Sequence, residues 1–331
     1  MLQSVRPALL AWSDGSMLLV TGGTGFVGRA VLRRTTQSGY AVRTLLAPSQ
    51  KSPRLPRGVA VEVALTSLAD RRGVRAALVG VDAVIHLAGA GSPGSGLHIQ
   101  AGDVEGTRNL AEAAAEAGVR RLIYLSHLGA DRSSAYALLR AKAMAEEHVR
   151  ASGVPFTILR SAVLFGEGDH LTTGIAMLLA VSPLVFLMPG DGSALLQPLW
   201  VDDMATAIVW ALDDPAMEGQ RYEIGGPEYF SLKQVIQMVM RTVRRPRLLV
   251  NARLPYLRAL GWLMERLLPG FPMPIPWLDY LAVNRTAALD TLPSVFGLKP
   301  ARMEGRLGYL EGRRWGWEMM RRQFRRVEGA V

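Results

Sequence analysis

The stretch that decides the fold is TGGTGFVG at residues 21–28. It follows the apolar segment at residues 17–20 and leads into RAVL at residues 29–32, an order that predicts a strand, a glycine turn and a helix. Glycines spaced three apart permit a tight turn and a close approach of the backbone to a diphosphate at the helix N-terminus. The alternative is a purely structural glycine turn. The strand and helix on either side favour a dinucleotide phosphate site, with predicted contacts from Gly22, Gly25, Phe26, Val27 and Gly28.

Apolar and helical segments alternate after this turn at the spacing of βαβ units. Strands are predicted at residues 41–46, 59–65, 81–87, 122–126, 156–159 and 221–224, and helices up to about residue 37, around 68–79 and at 107–117. This order predicts an α/β protein with a Rossmann-type doubly wound parallel sheet and a smaller, mostly helical C-terminal substrate lobe.

The composition excludes several kinds of chemistry. The 331 residues contain no Cys, which excludes disulfides and thiolate catalysis. The five His residues are scattered without metal-ligand spacing, so we predict no bound metal. The longest apolar run, at residues 175–188, is too short to span a bilayer and is interrupted by Ser182 and Pro183. We therefore expect no transmembrane helix and no signal peptide.

The positive charge is concentrated in the last quarter of the chain. Residues 1–240 contain 21 Lys and Arg against 21 Asp and Glu, whereas residues 241–331 contain 17 against 7. A neutral body with a basic end indicates an acidic partner or an anionic surface. The segment at residues 313–326 mixes Arg with Trp, Met and Phe at near-helical spacing, which is typical of interfacial helices, of helices that dock on acidic proteins, and of ordinary packed C-terminal helices.

Several segments resemble the short-chain dehydrogenase/reductase superfamily, in its extended and atypical members. They are the glycine motif, DAVIHLAG at residues 82–89, DVEGTRNL at 103–110, VLFG at 163–166 and QPLWVDDMA at 197–205, so the resemblance covers about residues 17–235. LSHLGA at 125–130 and LRAKAMAE at 139–146 narrow it to the branch that contains NmrA-like proteins and the 39 kDa accessory subunit of respiratory complex I. In that subunit the nucleotide is held tightly and has a structural role.

The resemblance implies a division of the chain. We expect an N-terminal extension at residues 1–16, a dinucleotide-binding Rossmann domain at 17–168 to which 197–226 return, and a smaller substrate or partner lobe at 169–196 and 227–308. Residues 309–331 are expected to form a basic amphipathic tail.

Catalysis in this superfamily implies a serine, a tyrosine and a lysine, for which the candidates are Ser126, Tyr136 and Lys142. The family places the tyrosine four residues before the lysine, whereas here Leu138 has that position and Tyr136 lies six before. Six residues on a regular helix turn about 600°, so the two side chains would not share a face. Two alternatives keep Tyr136 in use: it pairs with Arg140, or the helix begins after it.

The resemblance also implies a nicotinamide dinucleotide, held by Leu87, Ala88 and Gly89 at the end of the fourth strand and by Lys142 at the ribose. NAD sites usually have an acid at the end of the second strand, but there is no Asp or Glu between Asp14 and Glu62. NADP(H) is therefore favoured over NAD(H), with Arg43 as the first candidate for the 2′-phosphate and Arg29 as the second.

Two functions remain open from the sequence. The first is an accessory protein that holds NAD(P)(H) and attaches to a membrane or a respiratory assembly through its basic C-terminal end. The second is an active NAD(P)H-dependent oxidoreductase or epimerase acting on a small hydrophobic carbonyl, a quinone or a sugar-like substrate. The expected location is cytoplasmic, either free or peripheral at the inner face of the membrane. Nucleic acid is not an expected partner.

Overall fold

A computed structural model describes residues 15–48, 55–87, 89, 100–267, 275–281 and 283–327. The strands are β1 Met17–Thr21, β2 Ala41–Leu46, β3 Glu62–Leu65, β4 Ala83–His86, β5 Arg121–His127, β6 Phe156–Ser161, β7 Leu164–Phe165, β8 Val185–Pro189, β9 Leu195–Leu196, β10 Leu199–Trp200, β11 Gln220–Ile224, β12 Phe230–Ser231 and β13 Leu248–Ala252. The α-helices are α1 Phe26–Gln37, α2 Arg71–Ala77, α3 Gly106–Glu116, α4 Ala137–Ala151, α5 Thr172–Val181, α6 Val201–Asp213, α7 Leu232–Thr242, α8 Leu254–Leu267, α9 Ile275–Leu281, α10 Thr291–Val295 and α11 Trp315–Val327.

The described residues form two compact units. The first contains the described chain up to Ser161 together with Val201–Ile224 and Thr291–Leu298. The second contains Ala162–Trp200, Gly225–Asp290 and the described residues from Lys299 onward. The short helix α10 thus lies in the first unit.

A seven-stranded sheet forms the centre of the first unit, in the order β11-β6-β5-β4-β1-β2-β3. Every described pair in this sheet is parallel. The predicted Rossmann-type fold is therefore confirmed. Parallel strands joined through helices are covered on both faces, so they are mostly apolar: all four residues of β4 are buried, and the three before His86 are apolar.

The element bounds differ from the predicted ones where a cap sets them. Helix α2 begins at Arg71 because the Asp70 side chain accepts hydrogen bonds from the amides of Arg72 and Gly73. A π-helical turn at Gln100–Glu105 leads directly into α3. Strand β6 continues to Ser161 and β3 begins only at Glu62, because pairing with the neighbouring strands decides where each one ends.

The second unit has its own hydrophobic core. Side chains from α5, α7, α8, α9 and α11 meet there with Phe186 and Met188 of β8. The first turns of α11, within the predicted tail, contribute to this core, since Trp315 and Met319 are buried in it. Trp317 and Met320 are exposed.

Candidate nucleotide site

The glycine turn after β1 leaves no room for side chains. Gly22 has a φ of 73°, which favours glycine. A Cβ atom on Gly23 would lie 2.3 Å from Oγ1 of Thr44, and one on Gly28 would lie 2.0 Å from the carbonyl oxygen of Gly22. The loop and the first turn of α1 are thus in backbone contact.

Helix α1 begins directly at this loop, with Gly25 as its N-cap residue. The cap makes no side-chain hydrogen bond, and the first turn contains no acidic residue. The first amides of any α-helix have no partner within the helix and carry the positive end of its dipole. Phe26, Val27 and Gly28 therefore present their amides where a diphosphate would bind.

A row of side chains with polar groups crosses the sheet from the ends of β1 and β4 to the middle of β5. Thr21 of β1 is paired in register with His86 of β4, and His86 with Tyr124 of β5. The hydroxyl of Thr21 is 2.6 Å from Nδ1 of His86, and the hydroxyl of Thr107 is 2.9 Å from Nε2. The rings of His86 and Tyr124 are stacked, with centroids 5.4 Å apart.

The hydrogen bonds assign the tautomer of His86. The Thr107 hydroxyl donates to the carbonyl oxygen of Asp103, so it accepts from Nε2–H of His86. Thr21 accepts from the amide of Leu87 and donates to Nδ1. With a neutral imidazole, both ring nitrogens of His86 and the hydroxyls of Thr21 and Thr107 have hydrogen-bond partners. Burial, together with the charge of Lys142, lowers the pKa of His86 to about 3.

Lys142 is held by a buried carboxylate. Its Nζ lies 2.8 Å from Oδ1 of Asp103 and 3.4 Å from the hydroxyl of Tyr124, and both members of the ion pair are buried. Burial opposes the charge on the lysine, but Asp103 outweighs it and raises the pKa of Lys142 above its ordinary value. Burial raises the pKa of Tyr124 to about 12, against the opposing charge of Lys142. The tyrosine therefore stays protonated.

The predicted cofactor residues after β4 lie at this ion pair. A Cβ on Gly89 would lie 2.2 Å from Oδ1 of Asp103 and 2.7 Å from Nζ of Lys142. The amide of Leu87 donates to the backbone oxygen of Thr21. Ala88 lies outside the described residues. The structure therefore brings Gly89 and Lys142 together, as two residues predicted for the same ligand.

Ser126 is buried and bound to a different acid. Its hydroxyl donates to Oε1 of Glu146 at 2.6 Å. Arg160 forms a two-pronged ion pair with the same carboxylate, at 2.8 and 2.9 Å, and Arg150 also donates to it. The predicted substrate-orienting serine is thus a member of a buried salt-bridge cluster.

Tyr136 is the N-cap residue of α4, with extended backbone angles of −94° and 122°. The helix begins after it, which is the second of the two alternatives for this residue. Arg140 donates through Nη1 to the carbonyl oxygen of Ser134. Leu138 stands inside α4, one turn before Lys142.

Arg43 is already engaged. It lies within β2 rather than at its end, and its guanidinium donates to the carbonyl oxygens of Ala77 and Val79 at 2.7 and 2.8 Å. Its Nε is 3.0 Å from Oε1 of Glu62. Arg29 lies in the first turns of α1 and donates to the carbonyl oxygen of Thr24 in the glycine loop. Of the two candidates, only Arg29 is next to the predicted phosphate site.

Sequence reasoning missed Asp103, His86, Tyr124 and Glu146 as members of the site region. A signal existed for Asp103, since a buried lysine needs an acid and the motif at residues 103–110 begins with one. His86 and Tyr124 stand in apolar strand patterns that give no such signal.

The neutral state of His86 predicts a loss of stability in acid. Between pH 6.5 and about 3 the unfolded chain protonates this histidine and the folded chain does not, so stability falls as the pH falls. From pH 7 to pH 5 we expect a loss of about 2 kcal/mol from this residue. Urea unfolding at both values should show a smaller loss for His86→Asn than for the wild-type chain.

That comparison isolates the histidine. Burial raises the pKa of Asp169 to about 6, which acts in the opposite direction, but Asp169 is present in both proteins and its effect cancels. An identical loss in both proteins would contradict the prediction.

The fold and the site define a class: a Rossmann protein with a glycine-rich turn after β1 and a buried lysine beside Gly89, after β4. The chain belongs to the NAD dependent epimerase/dehydratase family, which it matches over residues 18–225. The resemblance to the extended short-chain dehydrogenases/reductases is thereby confirmed.

The proteins similar in sequence to this chain include subunits of NADH dehydrogenase and reductases. NADH dehydrogenase (ubiquinone) 1 alpha subcomplex subunit 9, mitochondrial, of Arabidopsis thaliana is 30% identical over 295 residues, covering 86% of this chain and 73% of that protein. The 2-alkyl-3-oxoalkanoate reductase of Stenotrophomonas maltophilia is 30% identical, covering 88% of this chain and 94% of that protein. The Thermus thermophilus UDP-glucose 4-epimerase, solved in complex with NAD, has the same fold, with a TM-score of 0.66 at 21% identity over 95% of this chain and 100% of that one.

Two absences apply to the described residues. They contain no group of three or more His, Asp or Glu side chains placed to hold a metal ion, and the absence of a resident metal stays a prediction. None of their helices is both long enough and apolar enough to cross a membrane.

Proposed function

We propose that this chain holds NAD(P)(H) tightly and serves as an accessory protein at a membrane or a respiratory, complex I-like assembly. The observation that carries the proposal is the state of the catalytic positions. Leu138 stands where the family has its tyrosine, while Ser126 is bound to Glu146 and Lys142 to Asp103. A proton relay needs a titratable donor within reach of the substrate. The glycine loop, in contrast, is intact.

The residues proposed to hold the dinucleotide are Gly22, Gly25, Phe26, Val27, Gly28, Gly89 and Lys142. An ammonium has three N–H donors, of which two point to Asp103 and Tyr124. The third is proposed to bind a ribose hydroxyl. A bound dinucleotide would supply hydride chemistry, but the proposal assigns it a structural role.

We propose NADP(H) as the preferred form. The chain has no acidic residue between Asp14 and Glu62, and Glu62, on β3, is bound to Arg43. The end of β2 therefore lacks the acid that NAD sites usually have there. Arg29 replaces Arg43 as the proposed phosphate ligand because Arg43 is held by Glu62 and two carbonyl oxygens.

The accessory role is supported by the relatives whose name describes a subunit of NADH dehydrogenase. The proposed attachment is through the basic C-terminal end, where Trp317 and Met320 are exposed. The proposed location is the cytoplasmic side of a membrane.

The alternative is an active reductase or epimerase. It is supported by relatives named as reductases, including the (4-alkanoyl-5-oxo-2,5-dihydrofuran-3-yl)methyl phosphate reductase of Streptomyces griseus at 32% identity over 70% of this chain. In that case Tyr136, freed from the helix, would have to donate the proton, assisted by Lys142 and Ser126.

Native mass spectrometry of the purified chain separates the two functions. We expect a bound NADP(H) that co-purifies, tighter binding of NADPH than NADH in titrations, and no steady oxidation of NADPH with a panel of quinones and carbonyls. Turnover that is lost in Tyr136→Phe and kept in Tyr256→Phe, a change at an exposed tyrosine, would establish the enzyme instead. A chain that neither retains a nucleotide nor binds an added one would contradict both functions.

A further inference from the structure

A two-stranded ribbon in the second unit has apolar side chains on both of its faces. Strand β8 pairs in parallel with β13, and the register places Val185 beside Leu248 and Leu187 beside Val250. Phe186 and Met188 point into the core. Val185, Leu187, Leu248 and Val250 are exposed, and we call them the ribbon face. Sheets that face water on one side normally alternate apolar and polar residues, so an apolar outer face indicates a partner.

Helix α8 begins two residues after β13 and has the same property. Only Leu257 and Gly261 of this helix are buried. Four of its large apolar side chains recur at intervals of four, three and four residues and form one exposed line along the helix, which we call the helix stripe: Tyr256, Leu260, Leu263 and Leu267. Trp262 is exposed as well, and its ring lies against the guanidinium of Arg266.

The segment that contains most of these residues is rich in cations. Between Glu228 and Glu265 the chain contains no acidic residue, whereas it contains seven basic ones: Lys233, Arg241, Arg244, Arg245, Arg247, Arg253 and Arg258. Arg241, Arg244 and Arg245 are exposed and have no salt bridge to any described carboxylate. Apolar side chains next to cations are suited to an anionic lipid surface, because the apolar side chains insert among the lipids and the cations bind the headgroup phosphates.

Arg244 gives a second, independent indication. It has a φ of 54° and follows the end of α7, with its amide bonded to the carbonyl oxygen of Arg241. Glycine is the residue preferred at this position, because a Cβ is strained there. An arginine kept in a strained backbone conformation indicates that its charge is used.

We propose that the ribbon face, the helix stripe and the exposed arginines Arg241, Arg244 and Arg245 form a docking surface for an anionic phospholipid bilayer. The inference rests on the membrane attachment of the proposed function and gives it a surface besides the C-terminal end. A second copy of the chain fits poorly, because a symmetric pairing would bring seven cations against seven cations. The start of α11 is the weaker candidate, since Trp315 and Met319 are already buried in the core.

Vesicle co-sedimentation of the full chain tests this surface. We expect binding to phosphatidylcholine vesicles that contain phosphatidylglycerol, no binding to phosphatidylcholine alone, and weaker binding as salt rises. The variants L187Q/V250Q on the ribbon face and L260Q/L263Q on the helix stripe should each bind about tenfold more weakly or worse, because less apolar area is inserted. Arg244→Gly should also weaken binding while the fold is kept, because glycine suits this backbone position.

The control is L65Q/V79Q, which removes two apolar side chains of the first unit that are even more exposed than those of the test variants, and it should leave binding unchanged. Unchanged binding by both surface variants, or a loss only in Trp317→Ser, would overturn the proposal. A dimer of the unaltered chain in solution that L187Q/V250Q converts to monomers would also overturn it. So would a chain that binds an acidic protein but has no affinity for the lipid vesicles. Retained nucleotide in every variant keeps these outcomes distinct from a failure of the nucleotide proposal.

Discussion

Gly28→Ala should abolish tight dinucleotide binding. The added Cβ would lie 2.0 Å from the carbonyl oxygen of Gly22 and 2.6 Å from Cα of Gly23, both backbone atoms that cannot rotate away. The glycine loop and the start of α1 must therefore separate, which misplaces the amides that would bind the diphosphate. Hydrogen bonds to charged groups contribute about 1.5–3 kcal/mol each, so losing two of them lowers affinity by roughly 100-fold or more. Overpacking also costs about 1–3 kcal/mol of stability.

Fluorescence titration with NADPH and urea unfolding measure the two effects separately. Gly316→Ala is the control, since it lies in α11 and an added Cβ meets no atom within 4 Å. It should leave the affinity unchanged and raise stability slightly, by about 0.5–1 kcal/mol. A Gly28→Ala chain that binds NADPH as well as the unaltered chain does would show that the diphosphate lies elsewhere.

Asp103→Asn should destabilise the chain by about 3–5 kcal/mol, because it leaves the ammonium of Lys142 buried without its counter-charge. The lysine would have to lose its proton or admit water, and either change disturbs Tyr124 and Gly89 beside it. Nucleotide affinity should fall as well, because Lys142 is a proposed ribose ligand. Urea unfolding at neutral pH measures the loss of stability.

The control for this prediction is an exposed ion pair in the same unit. Arg75 and Glu116 are 2.6 Å apart and both are more than half exposed, so Glu116→Gln should cost no more than about 1 kcal/mol. The double variant D103L/K142M should recover part of the stability, since apolar pairs often replace buried ion pairs at little cost. Asp103→Asn with an effect as small as that of Glu116→Gln would mean that the buried pair does not hold Lys142 in place.

Part of the site could be predicted from the sequence because it depends on local constraints. Gly22 needs a positive φ, and Gly28 must touch the backbone of its own loop, so the requirement and the residues that meet it lie within one short segment. The ends of the helices are harder to predict from the sequence, because a capping residue such as Asp70 changes where a helix begins without changing the spacing of its apolar residues.

The roles of individual polar side chains were harder to predict. Arg43 is a predicted phosphate ligand because no acidic residue lies between Asp14 and Glu62 in the sequence, yet β3 places Glu62 directly beside it. Ser126 was a plausible substrate contact until α4 placed Glu146 against its hydroxyl. The aromatic residues of the basic end fit an interfacial helix, a helix docked on an acidic protein and a packed C-terminal helix equally well, and only the structure shows that Trp315 packs into the core and donates its indole N–H to Leu310.

The amino-acid sequence by itself determined the strand, glycine turn and helix, the parallel α/β fold and the family, because backbone sterics and hydrophobic periodicity are properties of contiguous residues. Only the tertiary structure decided that Lys142 is paired with Asp103, that His86 is neutral, and that the exposed apolar residues of β8 and β13 lie side by side. The physical reason is that charge pairing, desolvation and surface area depend on which distant segments meet, and folding brings those segments together.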